Sequence, residues 1–286
     1  MILKYTANQN QLFSDFLLSL ELPKKLISSM IAQNLFSVNG LLLPFYKTVN
    51  KGDVITLTLP EESIDDTIIH EDINLDIVFE DDYLMIVNKP SNMPVMVTKS
   101  HPTQTLSNAL CYYFEKFHIM SKIHLVNRLD KDTSGLMIVA KNRYIKYLLS
   151  ENLKHKIKRE YYCVVTGVMK EKKGDINLPI LKLNDDSIKR TVHPNGLEAM
   201  TSFEVISYNQ HYSLLKVWLK TGRTHQIRVH LSHIGYPIVG DQLYNSLKES
   251  YDMMLFSHKI EFIHPITKEL IVFDKEIPQS FQAILR

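Results

Sequence analysis

From about residue 73 to the end of the chain, short strand-like runs follow one another with only a few helical patterns between them. Leu75–Phe79, Tyr83–Val87, Leu136–Ala140, Tyr161–Val168, Ser202–Ser207 and Leu214–Leu219 are the clearest runs. Helical spacing is confined to Thr105–Phe117, Asn142–Asn152 and His225–Ile234. Strands that arrive in succession, without strict alternation with helices, predict an α+β fold built on a large mixed or antiparallel β-sheet flanked by helices. With nine glycines in the whole chain and no Gly-rich loop after a strand, a phosphate-cradling nucleotide fold is not expected.

The first 62 residues read differently. Leu12, Phe13, Phe16, Leu17 and Leu20 recur at helical spacing, and Pro23 is placed to open a second helix through Ile31. Phe36–Val38, an Asn39–Gly40 turn and Leu41–Leu43 resemble a hairpin, and Val54–Leu59 alternates as a strand. The acidic run that begins at Glu61 is expected to belong to a linker, because clustered like charges repel. The expected organisation is a small α/β domain over 1–62, an acidic linker over 63–72 and a main domain over 73–286.

The 286 residues are 45% hydrophobic and 22% charged, values ordinary for a soluble globular protein. Two cysteines, Cys111 and Cys163, are too few for a disulfide framework and lack metal-ligand spacing, which suits a reducing compartment. Met1–Leu20 lacks the charge-then-apolar order of a signal peptide, and no run approaches the ~20 apolar residues that span a bilayer. A cytoplasmic protein without a membrane partner is the expectation, and no long apolar stripe demands a dimer. The net charge of +2 conceals an asymmetry: residues 61–100 hold ten acids against two lysines, whereas 101–286 hold 26 Lys and Arg against 18 acids. A basic main domain suits a polyanionic partner.

Two clusters carry candidate chemistry. In the first, Asn127–Gly135, two arginine or lysine residues, two aspartates and two hydroxyls crowd one loop ahead of the strand Leu136–Ala140. A carboxylate at the mouth of a strand can act as nucleophile or base, but residue types alone favour a tight turn capped by Asp, Thr and Ser. The second is Thr221–His233, where Thr224 is placed to N-cap a helix bearing His225 and Arg228 on one face. Its three histidines raise a metal site, yet no carboxylate or cysteine stands at ligand spacing, so none is expected. A basic helix that meets phosphates or orients a carboxylate fits better.

Arg128-Leu129-Asp130 with Thr133-Ser134-Gly135, then Lys158–Tyr161 leading to Gly167, then Gly222–Leu231, and finally Gly235–Asp241 resemble the ordered motifs of the RluA-type pseudouridine synthases. With the weaker Asn88-Lys89-Pro90 block, the resemblance covers roughly 73–275, and the unit before it resembles the alpha-L RNA-binding motif of ribosomal proteins. The resemblance implies an isomerase that converts uridine in RNA to pseudouridine without metal or cofactor. Asp130 would be the catalytic aspartate, Arg228 its partner and Tyr161 the residue against the target base. Arg128 would enter the RNA near the vacated stack, with Lys24, Lys25, Arg223 and His225 as further RNA-binding residues and Gln226 shaping the helix. Ribosomal RNA is the favoured substrate, transfer RNA the alternative, and a monomer the expected state. Asn127 stands where the family commonly has histidine, and Ser91-Asn92-Met93 replaces its usual Gly-containing turn. A glycosidase that releases free uracil and an idle RNA-binding module are the competing readings.

Overall fold

A computed structural model describes residues 1–286 except 21, 153–156, 185–186 and 248–249. The chain divides into two compact units, Met1–Ser63 and Ile64–Arg286.

In the first unit, β1 (Ile2–Thr6), helices α1 (Phe13–Ser19) and α2 (Lys24–Ala32), β2 (Phe36–Val38) and β3 (Val54–Thr58) form a three-stranded antiparallel sheet, order β1-β3-β2, covered by the helices. The alternation in β3 has a physical outcome, because Ile55 and Leu57 are buried while Val54 is exposed. Pro23 does open α2, as the N-cap residue. Asn39 and Gly40 both take positive φ, 49° and 83°, as a tight hairpin turn requires. Leu41 does answer Val38 across the turn as a single antiparallel bridge, but the expected second arm goes no further: Leu41 and Leu42 are 74% and 60% exposed, and β2 takes β3 as its strand partner.

In the second unit the elements run β4 (Ile77–Glu80), β5 (Leu84–Lys89), α3 (Leu106–Lys116), β6 (Ser134–Ala140), α4 (Arg143–Tyr147), β7 (Lys158–Thr166), β8 (Lys173–Asn177), β9 (Met200–Tyr208), β10 (Tyr212–Leu219), α5 (Gln226–His233), β11 (Leu255–Ile263), β12 (Leu270–Asp274) and α6 (Gln279–Ala283). They build a ten-stranded sheet with the path β8-β9-β10-β7-β11-β6-β5-β4. On its flanks β12 pairs with β11 and the short strand His124–Leu125 pairs with β6. Every pairing is antiparallel except β11 with β6. The α+β expectation therefore holds. Thr105 caps α3 through a reciprocal capping box with Asn108, and the helix expected over 142–152 is α4 followed by a π turn, Leu148–Asn152.

Side chains of β7 alternate between two cores. Tyr161, Cys163 and Val165 join the main core with Leu106, Leu110 and Phe114 of α3 and Ile227 and Leu231 of α5. Val164 and Tyr162 face the other layer, beneath Phe281 of α6.

The stretch 63–72 differs from a free linker. Ile64 packs against the main core, Asn108 donates to the Ile69 carbonyl at 2.8 Å, and Glu71 accepts from the Gln104 backbone at 2.6 Å. Donors on Gln104 occupy the Glu71 carboxylate and Thr67 occupies that of Asp65, which offsets part of the like-charge repulsion on which the linker expectation rested.

Candidate active site

Asp130 sits in the loop ahead of β6, and that loop is restrained from three sides. Thr133 donates its backbone N–H to the Asp130 carbonyl at 3.2 Å. Lys89, 1% exposed at the end of β5, donates from Nζ to the carbonyls of Lys131, Pro90 and Met93 at 2.8, 2.7 and 2.9 Å. Burial pulls its ammonium down to about 8, against the opposing charges of Asp132 and Asp130. Ser91 donates to the Asp132 carbonyl at 2.7 Å. The departure after Lys-Pro is thus accommodated: Asn92 takes φ 59°, the left-handed conformation that Asn tolerates nearly as well as glycine. Asn127, in the other departing position, is buried and accepts from the Ile138 N–H at 2.8 Å. Gly135 closes the loop at φ 114°, and a Cβ there would overlap the Ser257 backbone where β6 runs beside β11.

Helix α5 supplies the partner, 98 residues away in sequence. Arg228 donates from Nη1 to Asp130 Oδ2 at 3.0 Å. Its other two donors, Nε and Nη2, form a fork on Asp241, each at 2.8 Å. Asp241 is fully buried and also accepts the backbone N–H groups of Leu243 and Tyr244 at 2.9 and 3.1 Å. Burial works against both charges. The hydrogen bonds and mutual charge outweigh it, raising Arg228 and lowering Asp241 from their ordinary values. Arg228 is therefore fixed as a cation and aimed at Asp130, whose Oδ1 accepts no hydrogen bond among the described residues.

His225 precedes α5 in a left-handed conformation, φ 57°, and it is the N-cap residue in place of Thr224. No side chain caps the first turn; the Gln226 side chain instead ties down the preceding loop, accepting from the Arg223 N–H at 2.9 Å and from the Thr221 hydroxyl at 2.8 Å. The His225 Nδ1 meets the Tyr244 hydroxyl at 2.9 Å, and that hydroxyl accepts the Arg190 N–H at 2.8 Å. The other ring nitrogen, Nε2, lies 3.8 Å from Asp130 Oδ2. Burial lowers the His225 pKa and favours the neutral imidazole. His230, one turn on, lies between the Leu178 carbonyl and Thr201 at 2.9 Å each. Among the described residues no group of three His, Cys, Asp or Glu is arranged to hold a metal.

Asp130 opens into a cleft of about 930 Å³ whose lining includes Tyr161, Arg128, Arg223 and His225. Tyr161 is 5% exposed, and burial raises its pKa while the Ser257 side chain hydrogen-bonds its hydroxyl. Tyr162 turns to the opposite layer, stacked on His258 at 3.9 Å. Arg128 and Arg223 are exposed, Arg223 donating to the Glu198 carbonyl at 3.0 Å. Among the described residues, five arginines and lysines line the cleft against one carboxylate, that of Asp130. Lys24 and Lys25 are exposed in the first turn of α2, in the first unit. Reading the sequence missed two groups that complete the site: Asp241, which ends the last motif block, and Tyr244 just beyond it. Lys89 lies in a block whose role was left open.

The family model for RNA pseudouridylate synthases matches residues 83–233. The chain is 35% identical to the uncharacterised RNA pseudouridine synthase YjbO of Bacillus subtilis, over 87% of this chain and 89% of that one. It is 33% identical to ribosomal large subunit pseudouridine synthase D of Haemophilus ducreyi, over 96% of this chain and 87% of that one. Among solved structures, human RNA pseudouridylate synthase domain containing 1 shares the fold, with a TM-score of 0.59 at 23% identity over 73% of this chain and 87% of that chain. An ordered set of motifs, a family match spanning more than half of the chain and relatives aligned over most of their length lead to one conclusion: the chain belongs to the RNA pseudouridine synthases of the RluA type and is an isomerase.

Proposed function

We propose that this enzyme isomerises uridine in the RNA of the large ribosomal subunit, with Asp130 as nucleophile, Arg228 as the cation that orients it and Tyr161 as the platform for the base. The reaction breaks the bond between uracil N1 and the ribose, turns the base and joins it through C5. One proton leaves C5 and one is taken up at N1, so nothing is oxidised, reduced or hydrolysed. The carrying observation is the asymmetry of the Asp130 carboxylate at the cleft: Oδ2 is held by Arg228, and Oδ1 has no hydrogen-bond partner among the described residues. A carboxylate oriented by a guanidinium and left with one open oxygen is suited to bond to the nucleoside and be released again.

The uridine leaves its stack to reach Asp130, at a cost of a few kcal/mol. A base resting on Tyr161 recovers part of that, since stacking is worth about 1–3 kcal/mol. Arg128, at the exposed mouth of the cleft, would occupy the gap in the RNA, while Arg223 and His225 line the path of the strand. The first unit is proposed as an alpha-L-like RNA-binding domain acting through Lys24 and Lys25. Asp130, Arg228 and Tyr161 all come from one chain, so the proposed chemistry asks for no second copy, and a monomer is the proposed state. Among the described residues no helix is long and apolar enough to cross a membrane. The large-subunit assignment draws on the relative from Haemophilus ducreyi, whose name specifies that substrate.

The test maps pseudouridines in ribosomal and transfer RNA from cells with and without the gene, restoring wild type, Asp130→Asn or Tyr162→Phe. A large-subunit site should vanish with the gene, return with wild type and Tyr162→Phe, and stay absent with Asp130→Asn. Turnover by the asparagine variant would sink the nucleophile assignment. A site lost only from transfer RNA would redirect the substrate, and release of free uracil would replace isomerisation by glycoside cleavage.

A further inference from the structure

Arg159 lines the same cleft as Tyr161, two residues before it on β7. Its Nε is buried and, among the described residues, nothing accepts a hydrogen bond from it. The adjacent Glu160 offers no help, because its carboxylate pairs with Lys216 at 2.7 Å and lies near His258 in the other layer. The guanidinium lies over Gly222, with Nη2 and Nη1 3.5 and 3.6 Å from where a side chain at that position would begin. A cation with a buried, unused donor destabilises a fold and persists where a ligand completes it. Arg128, Lys131, Lys146 and Arg223 line the same cleft, so the field there favours an anion. A planar guanidinium matches the paired oxygens of a phosphate better than a single base carbonyl.

We propose that Arg159 is a phosphate-binding residue: it grips the non-bridging oxygens of the phosphate adjoining the uridine that rests on Tyr161, and thereby holds that nucleotide against Asp130. This rests on the functional reading above and adds a named subsite to it. Two residues along a strand span about 6.8 Å, so the grip falls beside the base platform and not upon it.

The experiment measures binding of an RNA stem-loop carrying the mapped uridine to wild type, Arg159→Gln and Arg159→Lys over a range of salt. A second RNA carries uncharged methylphosphonates at the two phosphates flanking that uridine. Arg159→Gln should weaken binding about 10- to 100-fold, the loss expected for a charge-assisted contact, and Arg159→Lys should restore part of it. The slope of log affinity against log salt should fall by about one. The methylphosphonate RNA should bind wild type as weakly as the plain RNA binds Arg159→Gln, with no further loss when variant and modified RNA are combined. The melting temperature of Arg159→Gln should stay level or rise, since it removes a buried unpaired donor. A purely structural arginine would lower it, and that result, an unchanged salt slope or additive losses would overturn the assignment. Wild type that makes no pseudouridine in any RNA sinks the functional reading itself, whereas wild-type turnover with unaltered Arg159→Gln binding sinks this subsite alone.

Discussion

Asp241 touches no substrate in this reading, yet the geometry makes it the group whose loss should be felt most. Its side chain is fully buried and receives four hydrogen bonds: two from Arg228 and two from the backbone at Leu243 and Tyr244. Asp241→Ala would leave Arg228, whose side chain is 5% exposed, with Asp130 as its one remaining carboxylate. Breaking a buried ion pair from one side costs about 3–5 kcal/mol, because the other charge stays behind. In a unit of this size each kcal/mol lowers the melting temperature by about 2–4 °C, so a drop of about 6–20 °C is expected. Freed from its fork, the guanidinium can move toward Asp130 or away from it. A displacement near 1 Å at a reacting group costs about 100-fold in rate, so turnover should fall at least that far. Asp241→Asn keeps an acceptor for the two backbone donors but turns an amide N–H₂ toward a guanidinium N–H, and should lose activity with a smaller drop in melting temperature. Thermal unfolding followed by circular dichroism, paired with single-turnover pseudouridine formation, reads both effects. Asp130→Asn should show the reverse pattern, because Arg228 keeps Asp241: no product and a melting temperature close to wild type. An Asp241→Ala protein that melts within 2 °C of wild type, a margin of about 1 kcal/mol or less, would refute the claim that this carboxylate anchors Arg228.

Gly135→Ala should destabilise the protein by about 1–3 kcal/mol through overpacking and depress turnover by shifting the Asp130 loop, whereas Gly40→Ala, with open space around it, should leave turnover alone. Denaturant unfolding and turnover of the two variants check this, and equal activity would contradict it. A pH dependence follows from Lys89, whose ammonium is pulled down to about 8. The lowered folded pKa means that the charged form burdens stability below about pH 8, and that this burden lifts as pH rises further. Activity moves the other way, since a neutral amine has two protons for three carbonyls and one tie to the Asp130 loop is lost. The profile of kcat/KM should fall on the alkaline side near pH 8 without a parallel drop in melting temperature, and a flat profile from pH 7 to 9.5 would count against the tie.

What the sequence makes legible follows from how far each constraint reaches along the chain. The two faces of β7 are readable from a period of two, and Tyr161 and Tyr162 do part into separate layers. The strand β11 is harder: Lys259–Ile263 alternates, but Ser257 and His258 are polar and still buried, which conceals where the strand begins. Thr224 looks like a helix cap because local rules favour a hydroxyl there, but the helix begins after His225 without a side-chain cap, and the Gln226 amide reaches back to hold the loop before it. The acidic stretch 63–72 looks like a solvated spacer until α3 supplies a donor to the Ile69 carbonyl and the loop before it a donor to Glu71, from far along the chain. The pairing of Asp130 with Arg228 is more remote still. No propensity or period links residues 98 positions apart, and only the order of the motif blocks suggested it. Asp241 reads as one more turn acid until Arg228 is seen to need two carboxylates. A buried arginine that shares itself between an open site and a closed one needs a rigid anchor at the closed end, and the fork on Asp241 supplies it, leaving Nη1 alone to meet Asp130.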